Sequence, residues 1–243
     1  MSRTYILFFV FVLAVIAMIP LHFLSVEHIR LEERYGAIRG QKIGKIYSFL
    51  SGWGFFVFWA GLWFSPQPRF IIPIFSNLSV VTPFANFPLS IIHLVVFVTF
   101  FLLGAWLGLA GVKETSLKVA ETHRAERIVT SGVYSVVRHP QYLGGLLAHV
   151  GISFLFFAWY SLLSTPLMVL LIFLISRKEE KELVKEFGKE YEDYAKKVPM
   201  FFPEASKVIV TLVHCSHSNI IGRCWLVGLN FNPHTQKAWG VAF

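Results

Sequence analysis

From Tyr5 to Leu24 the chain runs for 20 residues without one Asp, Glu, Lys or Arg. About twenty such residues are what an α-helix needs to cross the ~30 Å hydrocarbon core of a bilayer. In lipid a helix also satisfies its own backbone hydrogen bonds, which few other structures can do. The run is therefore expected to be a spanning helix. A cleaved leader is the rival, but Arg3 is the only charge ahead of the run, which is long for a leader, and Met18-Ile19-Pro20 offers no small-residue cleavage site. Two further uncharged runs, Tyr47 to Phe64 and Leu89 to Val112, repeat the pattern. With 55% hydrophobic residues and 25 phenylalanines among 243, the expected class is an all-α integral membrane protein.

Trp53, Trp59 and Trp63 give the second run an aromatic belt, and Ser65-Pro66-Gln67-Pro68 ends it. Between Arg69 and Pro88 the apolar character persists but is broken by Pro73, Pro83, Pro88, Asn77 and Asn86, which predicts an interfacial or re-entrant stretch. In the third run Gly104, Gly108 and Gly111 form a small-residue stripe for close helix contact, and His93 is expected at the interface or hydrogen-bonded within the bundle. Leu143 to Ala158 and Leu162 to Ser176 are each short for a span and parted by Trp159-Tyr160-Ser161, so a helical hairpin is expected. From Arg177 to Pro203 the pattern is amphipathic: Leu183, Phe187, Tyr191, Tyr194 and Val198 share a face, Glu192/Lys196 and Asp193/Lys197 pair on the other, and Gly188 is a weak point.

The net charge is +8, and the cations lie in the short segments between apolar runs, where positive charge faces the cytoplasm and anionic lipid. That distribution argues against a nucleic-acid partner. Lys and Arg are dense in Glu27 to Lys45, which is expected as a solvated, partly helical loop, in Lys113 to Arg138 and after Ser176, and sparse elsewhere. The alternation implies about five transmembrane helices, an N-terminus outside and a cytosolic pocket under a C-terminal amphipathic helix. Three regions follow: membrane helices over 1–112, a core with elbow, hairpin and cap over 113–203, and an appendage over 204–243 to which no function is assigned. The two cysteines, Cys215 and Cys224, support neither a disulfide framework nor, with His214 and His217, a four-ligand metal site. No obligate protein partner is evident.

The most distinctive polar island is Ser131 to Gly145, SGVYSVVRHPQYLGG. Pro140 restricts His139 to extended or turn geometry and suits the first turn of a helix, so a rigid elbow is expected at the membrane boundary. The elbow and the cap share a side, which brings Tyr134, Arg138, His139 and Tyr142 near Arg177, Glu179, Glu180 and Tyr191. Such a set can hold a zwitterionic, aromatic cofactor: an acid pairs with an α-ammonium, a cation with a carboxylate, and tyrosines pack a heterocycle. No nucleophile beside a base, phosphate-cradling glycine loop or metal cluster accompanies it. The structural alternatives are a His139 helix cap, an interfacial Tyr142 and a Glu179-Glu180 pair of ordinary surface charge.

The run VTSGVYSVVRHPQYLGG, followed some 35 residues later by RKEEKELVKEFGKEYEDYAKKVPMFFP, resembles the isoprenylcysteine carboxyl methyltransferase family and its phospholipid methyltransferase relatives. The likeness covers roughly Lys113 to Pro203. It implies an S-adenosylmethionine-dependent methyltransferase with a lipophilic or lipid-modified acceptor drawn from membrane lipid, first of all a carboxylate of the isoprenylcysteine type. Residue by residue, it implies cofactor contacts at Glu126, Arg127, Ile128, Val129, Tyr134, His139, Pro140, Gln141 and Tyr142, with Glu180 on the cofactor's amino group. It makes Arg177 the candidate for holding the acceptor's reacting group, and Arg177 and Glu180 the catalytic pair. Two positions depart from the family pattern: Glu126 stands where the eukaryotic carboxyl methyltransferases carry His, and Val119 where they carry Gln.

Other expectations stay open beside it. Phospholipid or small-thiol methylation would use the same plan. A sterol-type reductase using NADPH shares the elbow but carries an acidic residue where this chain has Gly145. A non-catalytic scaffold would keep the helices, although Arg and His at a membrane boundary cost desolvation that a structural loop avoids.

Overall fold

The apolar runs fold as helices laid side by side. The structure, a computed structural model, describes residues 5–72, 79–81, 88–116 and 127–202. Five long helices carry it: α1 (Ile6–Val26), α3 (Ala37–Phe64), α4 (Ile91–Thr115), α5 (Pro140–Leu155) and α7 (Thr165–Phe187), joined or capped by the short α2 (His28–Tyr35), α6 (Trp159–Leu163) and α8 (Lys189–Lys197). Among the described residues the departures from an all-helical chain are a pair of three-residue strands, β1 (Ser79–Val81) and β2 (Pro88–Ser90), antiparallel with Ser79 opposite Ser90, and an isolated antiparallel bridge between Arg69 and Ala158. Strand β1 lies within the Arg69–Pro88 segment expected to be interfacial or re-entrant and β2 begins at its end; Pro73, Asn77, Pro83 and Asn86 of that segment lie outside the described residues, as does everything from 203 onward.

Helices α1, α3 and α4 are each long and apolar enough to cross a membrane, and they mark the chain as a membrane protein. Their outward faces agree: Leu13, Phe56, Leu102 and Leu109 are more than 60% exposed, a burden that water would penalise and lipid does not.

Neighbouring helices are tied by small residues. A Cβ on Gly104 would stand 2.5 Å from the Gly144 carbonyl oxygen, and one on Gly144 would stand 3.0 Å from the Gly108 nitrogen. The stripe read from the sequence therefore brings α4 and α5 to backbone contact, antiparallel, with Gly111 packed on Gln141 and Pro140 at the far end. Helix α1 packs antiparallel to α3 and parallel to α7, and Val15, Leu62, Met168 and Ile172 form a buried apolar core among the three.

The charged segment expected as a solvated, partly helical loop is helical almost throughout. Its Glu, Arg, Lys and Gln residues are good helix formers, and one residue, Gly36 at φ +77°, makes the turn between α2 and α3. Gly40 then allows α2 to fold back, since a Cβ there would stand 2.6 Å from the Leu31 carbonyl oxygen. The expected hairpin is present as α5 and α7, and α7 runs on past Ser176 into the cap without a break until Gly188, at φ +56°.

At the end of the bundle away from the elbow, two histidines are consumed structurally. His149 Nδ1 accepts from the indoles of Trp59 (2.9 Å) and Trp63 (3.1 Å), while its Nε2 donates to the Ser161 carbonyl (3.0 Å). His93, fully buried, accepts from the Ile72 amide and donates from Nδ1 to the Phe154 carbonyl. It thus lies hydrogen-bonded within the bundle.

Candidate functional site

The elbow forms because its sequence prevents a helix from starting before Pro140. Gly132–Ser135 makes a 3-10 turn entered through Gly132 at φ +54°. His139, at φ −124° and ψ 63°, is then neither helical nor fully extended ahead of Pro140, the first residue of α5. Its imidazole makes no capping bond to that helix. It turns instead toward α7, with Nε2 3.1 Å from Glu180 Oε1, and stacks on Tyr142 at 15° between ring planes.

The cap closes on the elbow through backbone and side chain. The Arg138 amide donates to the Pro199 carbonyl (2.9 Å) and the His139 amide to that of Met200 (3.3 Å). The Arg138 guanidinium spans both carboxylate oxygens of Glu180, from Nε at 2.7 Å and Nη2 at 3.2 Å, while its Nη1 donates to the Ala195 and Val198 carbonyls, each at 2.6 Å. The Tyr194 hydroxyl donates to the Tyr134 carbonyl at 2.7 Å. Burial pushes the Glu180 carboxyl up, but hydrogen bonds from His139 and Arg138 and their charges outweigh it and hold the group below its ordinary value.

Under this clasp lies a cavity of about 750 Å³, within the ~300–1,000 Å³ of small-molecule sites. The ends of four long helices surround it: Val26 from α1, Thr115 from α4, Gln141 and Tyr142 from α5, Glu179 and Leu183 from α7. Tyr191 and Tyr194 of α8 roof it. Gln141 Nε2 donates to the Tyr134 hydroxyl and to Thr115 Oγ1, both at 3.2 Å, and Ser131 donates to Glu114 at 3.1 Å, which ties the elbow to the end of α4. Burial raises the phenols of Tyr134, Tyr191 and Tyr194, so all three stay protonated as donors.

Electrostatically the cavity is split. Glu114, Glu179, Glu182 and Glu186 face it, and Lys113 and Arg127 stand exposed at its mouth. Glu179 is its inner acid: it accepts from the Tyr142 hydroxyl, and its Oε1 is 3.0 Å from His22 Nε2. A positively charged ligand with an aromatic ring and a carboxylate finds matching groups here. Among the described residues no cluster could hold a metal ion.

The structure brings Arg127, Ile128, Val129, Tyr134, His139, Gln141 and Tyr142 together on the cavity wall, with Pro140 starting the helix beside them. Glu126 lies outside the described residues. Two placements differ from expectation. Glu180 sits behind the wall, saturated by Arg138 and His139, and Glu179 takes the face toward the cavity. Arg177 is exposed and away from the cavity, with its guanidinium over the Phe173 ring at 5.6 Å. Residues two apart on a helix point about 200° apart, so α7 cannot aim both Arg177 and Glu179 inward.

Sequence reasoning missed His22, Glu114 and Thr115. His22 carried a usable signal, as a polar side chain inside an otherwise apolar span.

Residues 92–190 match the family model described as phospholipid methyltransferase. The protein-S-isoprenylcysteine O-methyltransferase of Schizosaccharomyces pombe is 36% identical over 96 residues, which cover 39% of this chain and 40% of that protein. The cobalt-zinc-cadmium resistance protein CzcN of Cupriavidus metallidurans is 34% identical over 112 residues, 42% of this chain and 50% of that one. Methanethiol S-methyltransferase 2 of Bradyrhizobium diazoefficiens is 37% identical over 76 residues, 29% of this chain and 27% of its own length. The chain thus spans half or less of the length of these curated relatives. The matched segment, from the start of α4 through elbow and hairpin to the first turn of α8, is thus similar to the phospholipid methyltransferase family model and to the protein-S-isoprenylcysteine O-methyltransferases.

Proposed function

We propose that this chain is a membrane methyltransferase that uses S-adenosylmethionine and acts on a lipophilic acceptor, with a carboxylate of the isoprenylcysteine type first among the candidates. The observation that carries it is the convergence of elbow, α7 and α8 around one cavity, most of whose wall comes from the segment that matches the phospholipid methyltransferase model. In this reading the helices make five spans, the N-terminus lies outside and the cavity opens on the cytosolic side, where the basic segments gather.

The residues fit the cofactor. When bound, S-adenosylmethionine supplies a methyl group activated by a cationic sulfur. Glu179 offers a negative charge for the sulfonium or the α-ammonium, Arg127 and Lys113 serve its carboxylate from the mouth, and the Tyr134, Tyr142, Tyr191 and Tyr194 rings offer faces and hydroxyls to the adenosine. Glu180 acts one layer back by fixing Arg138 and His139, and so the shape of the wall. Methyl transfer to a carboxylate needs alignment and exclusion of water more than acid or base. The apolar ends of α1 and α5 supply the exclusion, and Pro140 and the Arg138–Glu180 pair supply the rigidity.

Calorimetric titration of the detergent-purified chain with S-adenosylmethionine and, separately, with NADPH tests this. Saturable S-adenosylmethionine binding is expected, with the affinity reduced in Tyr134→Ala and Glu179→Gln. Binding of NADPH in its place would favour a reductase, and binding of neither would leave a scaffold.

A further inference from the structure

Few basic side chains are placed to meet an anionic acceptor inside the cavity. Arg177, expected to hold the acceptor's reacting group, is exposed and away from it. Arg138 is bound to Glu180 and to two cap carbonyls, and His139 is turned to the same Glu180. Lys113 and Arg127 stand at the mouth, where they suit the cofactor's carboxylate. Among the described residues, the remaining basic group on the wall is His28. It opens α2, two residues after the apolar α1 ends at Val26. That is the depth at which a molecule anchored in the bilayer by its tail presents its polar head. The half-buried imidazole is backed by α3, where a Cβ on Gly44 would stand 3.5 Å from its Nδ1 and 3.9 Å from its Cε1. The corner between α1 and α2 is also latched to α7. Glu27, between the wall residues Val26 and His28, accepts from Lys178 at 2.5 Å and from Arg30 at 2.8 Å. Lys178 donates as well to Glu182, a further wall residue, at 3.0 Å, and Lys185 donates to Glu182 at 2.9 Å. Three cations thus stand against two acids, a surplus that solvent screens in part, because Arg30 and Lys185 are mostly exposed. Val26 and His28 both lie outside residues 92–190, the segment that matches the family model.

Resting on the methyltransferase reading, we infer that His28 is the specificity-determining residue on the acceptor side. From the latched α1–α2 corner it donates a hydrogen bond to the carboxylate of a lipid-tailed acceptor and so selects anionic headgroups over neutral ones. An imidazole has an N–H to offer in either protonation state. Placed on one carboxylate oxygen, it fixes the group and leaves the other oxygen to attack. That oxygen supplies the electron pair of the new O–CH3 bond, the methyl–sulfonium bond breaks with its pair returning to sulfur, and no proton moves. A carboxamide of the same shape is a weaker hydrogen-bond acceptor than a carboxylate. The bilayer gathers acceptors by their tails, and His28 ranks them by headgroup charge.

The experiment uses the full chain in detergent, as wild type, His28→Leu and His28→Lys. Thermal melting and S-adenosylmethionine affinity are measured first. Each protein is then assayed for methylation of N-acetyl-S-farnesylcysteine, with the corresponding carboxamide as a competitive inhibitor that cannot be methylated. In wild type the KM of the acid should lie about tenfold or more below the inhibition constant of the amide. His28→Leu should bind S-adenosylmethionine within a few-fold of wild type, while the KM of the acid rises about tenfold and the amide's inhibition constant moves little. Discrimination by charge is then lost, and His28→Lys should restore it. A folded His28→Leu that keeps the discrimination, or one that loses acid and amide in equal measure as a merely structural change would, overturns the inference. So does a wild type that binds S-adenosylmethionine but transfers no methyl group to the acid. Failure of wild type to bind S-adenosylmethionine would instead sink the methyltransferase reading on which the inference rests.

Discussion

Replacing Arg138 by Met tests whether charge holds the elbow against the cap. Met keeps most of the aliphatic stem and removes every donor, namely two bonds to Glu180 and two to the carbonyls of Ala195 and Val198. The side chains of Arg138 and Glu180 are only 12% and 13% exposed, so the stranded carboxylate could not fully rehydrate. Hydrogen bonds to charged groups contribute about 1.5–3 kcal/mol each, and breaking a buried pair from one side costs about 3–5 kcal/mol. Allowing for the residual exposure, we expect a loss of about 2–4 kcal/mol, or a melting temperature lower by roughly 5–15 °C for a chain of this size. Donor affinity should fall with it, because the wall that carries His139 and Tyr142 loses its anchor. Adding Glu180→Leu to Arg138→Met removes the orphaned charge and should recover about half of the lost stability. Melting in detergent, followed by tryptophan fluorescence with and without S-adenosylmethionine, reads both quantities. A single variant that melts within about 2 °C of wild type, or a double variant no more stable than the single, would refute the charge clasp.

Gly104→Leu places a side chain where even a Cβ would stand 2.5 Å from the Gly144 carbonyl oxygen. The α4–α5 pair must separate, at a cost of about 1–3 kcal/mol, and proteolysis and melting should both show it, whereas Leu103→Ala, on the outward face, should be nearly silent. The folded-state pKa of Glu180 lies below the unfolded value, so its contribution to stability is present above the ordinary carboxylate pKa of 4.5 and is lost as pH falls through the folded value. Melting temperature should therefore drop between about pH 5 and pH 3 in wild type and drop less in Glu180→Gln.

What could be read in advance was what repeats or what the backbone dictates. Uncharged runs gave the long helices, the glycine stripe gave the α4–α5 contact, and Pro140 gave the start of α5. The choice between Glu179 and Glu180 could not be read, because adjacent residues differ by about 100° on a helix and only the position of Arg138 decides which one is drawn backward. The direction of Arg177 could not be read for the same reason, since it depends on the rotation of α7 against α1 and α5. His22 needs a partner 157 residues away, and no local pattern announces such a pair. The charged segment 27–45 was judged by polarity, whereas helix propensity and the turn at Gly36 decided its structure.

Because α7 is one unbroken helix from Thr165 to Phe187, its apolar half and the half that faces the cavity cannot move independently. Glu179 sits three residues beyond Ser176, the last residue of the apolar run, or about 4.5 Å along the axis. The helix is therefore a depth gauge. In a bilayer a few ångströms thicker, tilt or local deformation must absorb the mismatch or Glu179 is drawn toward hydrocarbon, and in a thinner one it is lifted toward water. On the proposed methyltransferase reading, membrane thickness thus becomes a variable of the reaction, and turnover measured across phosphatidylcholines of graded acyl length should pass through a maximum.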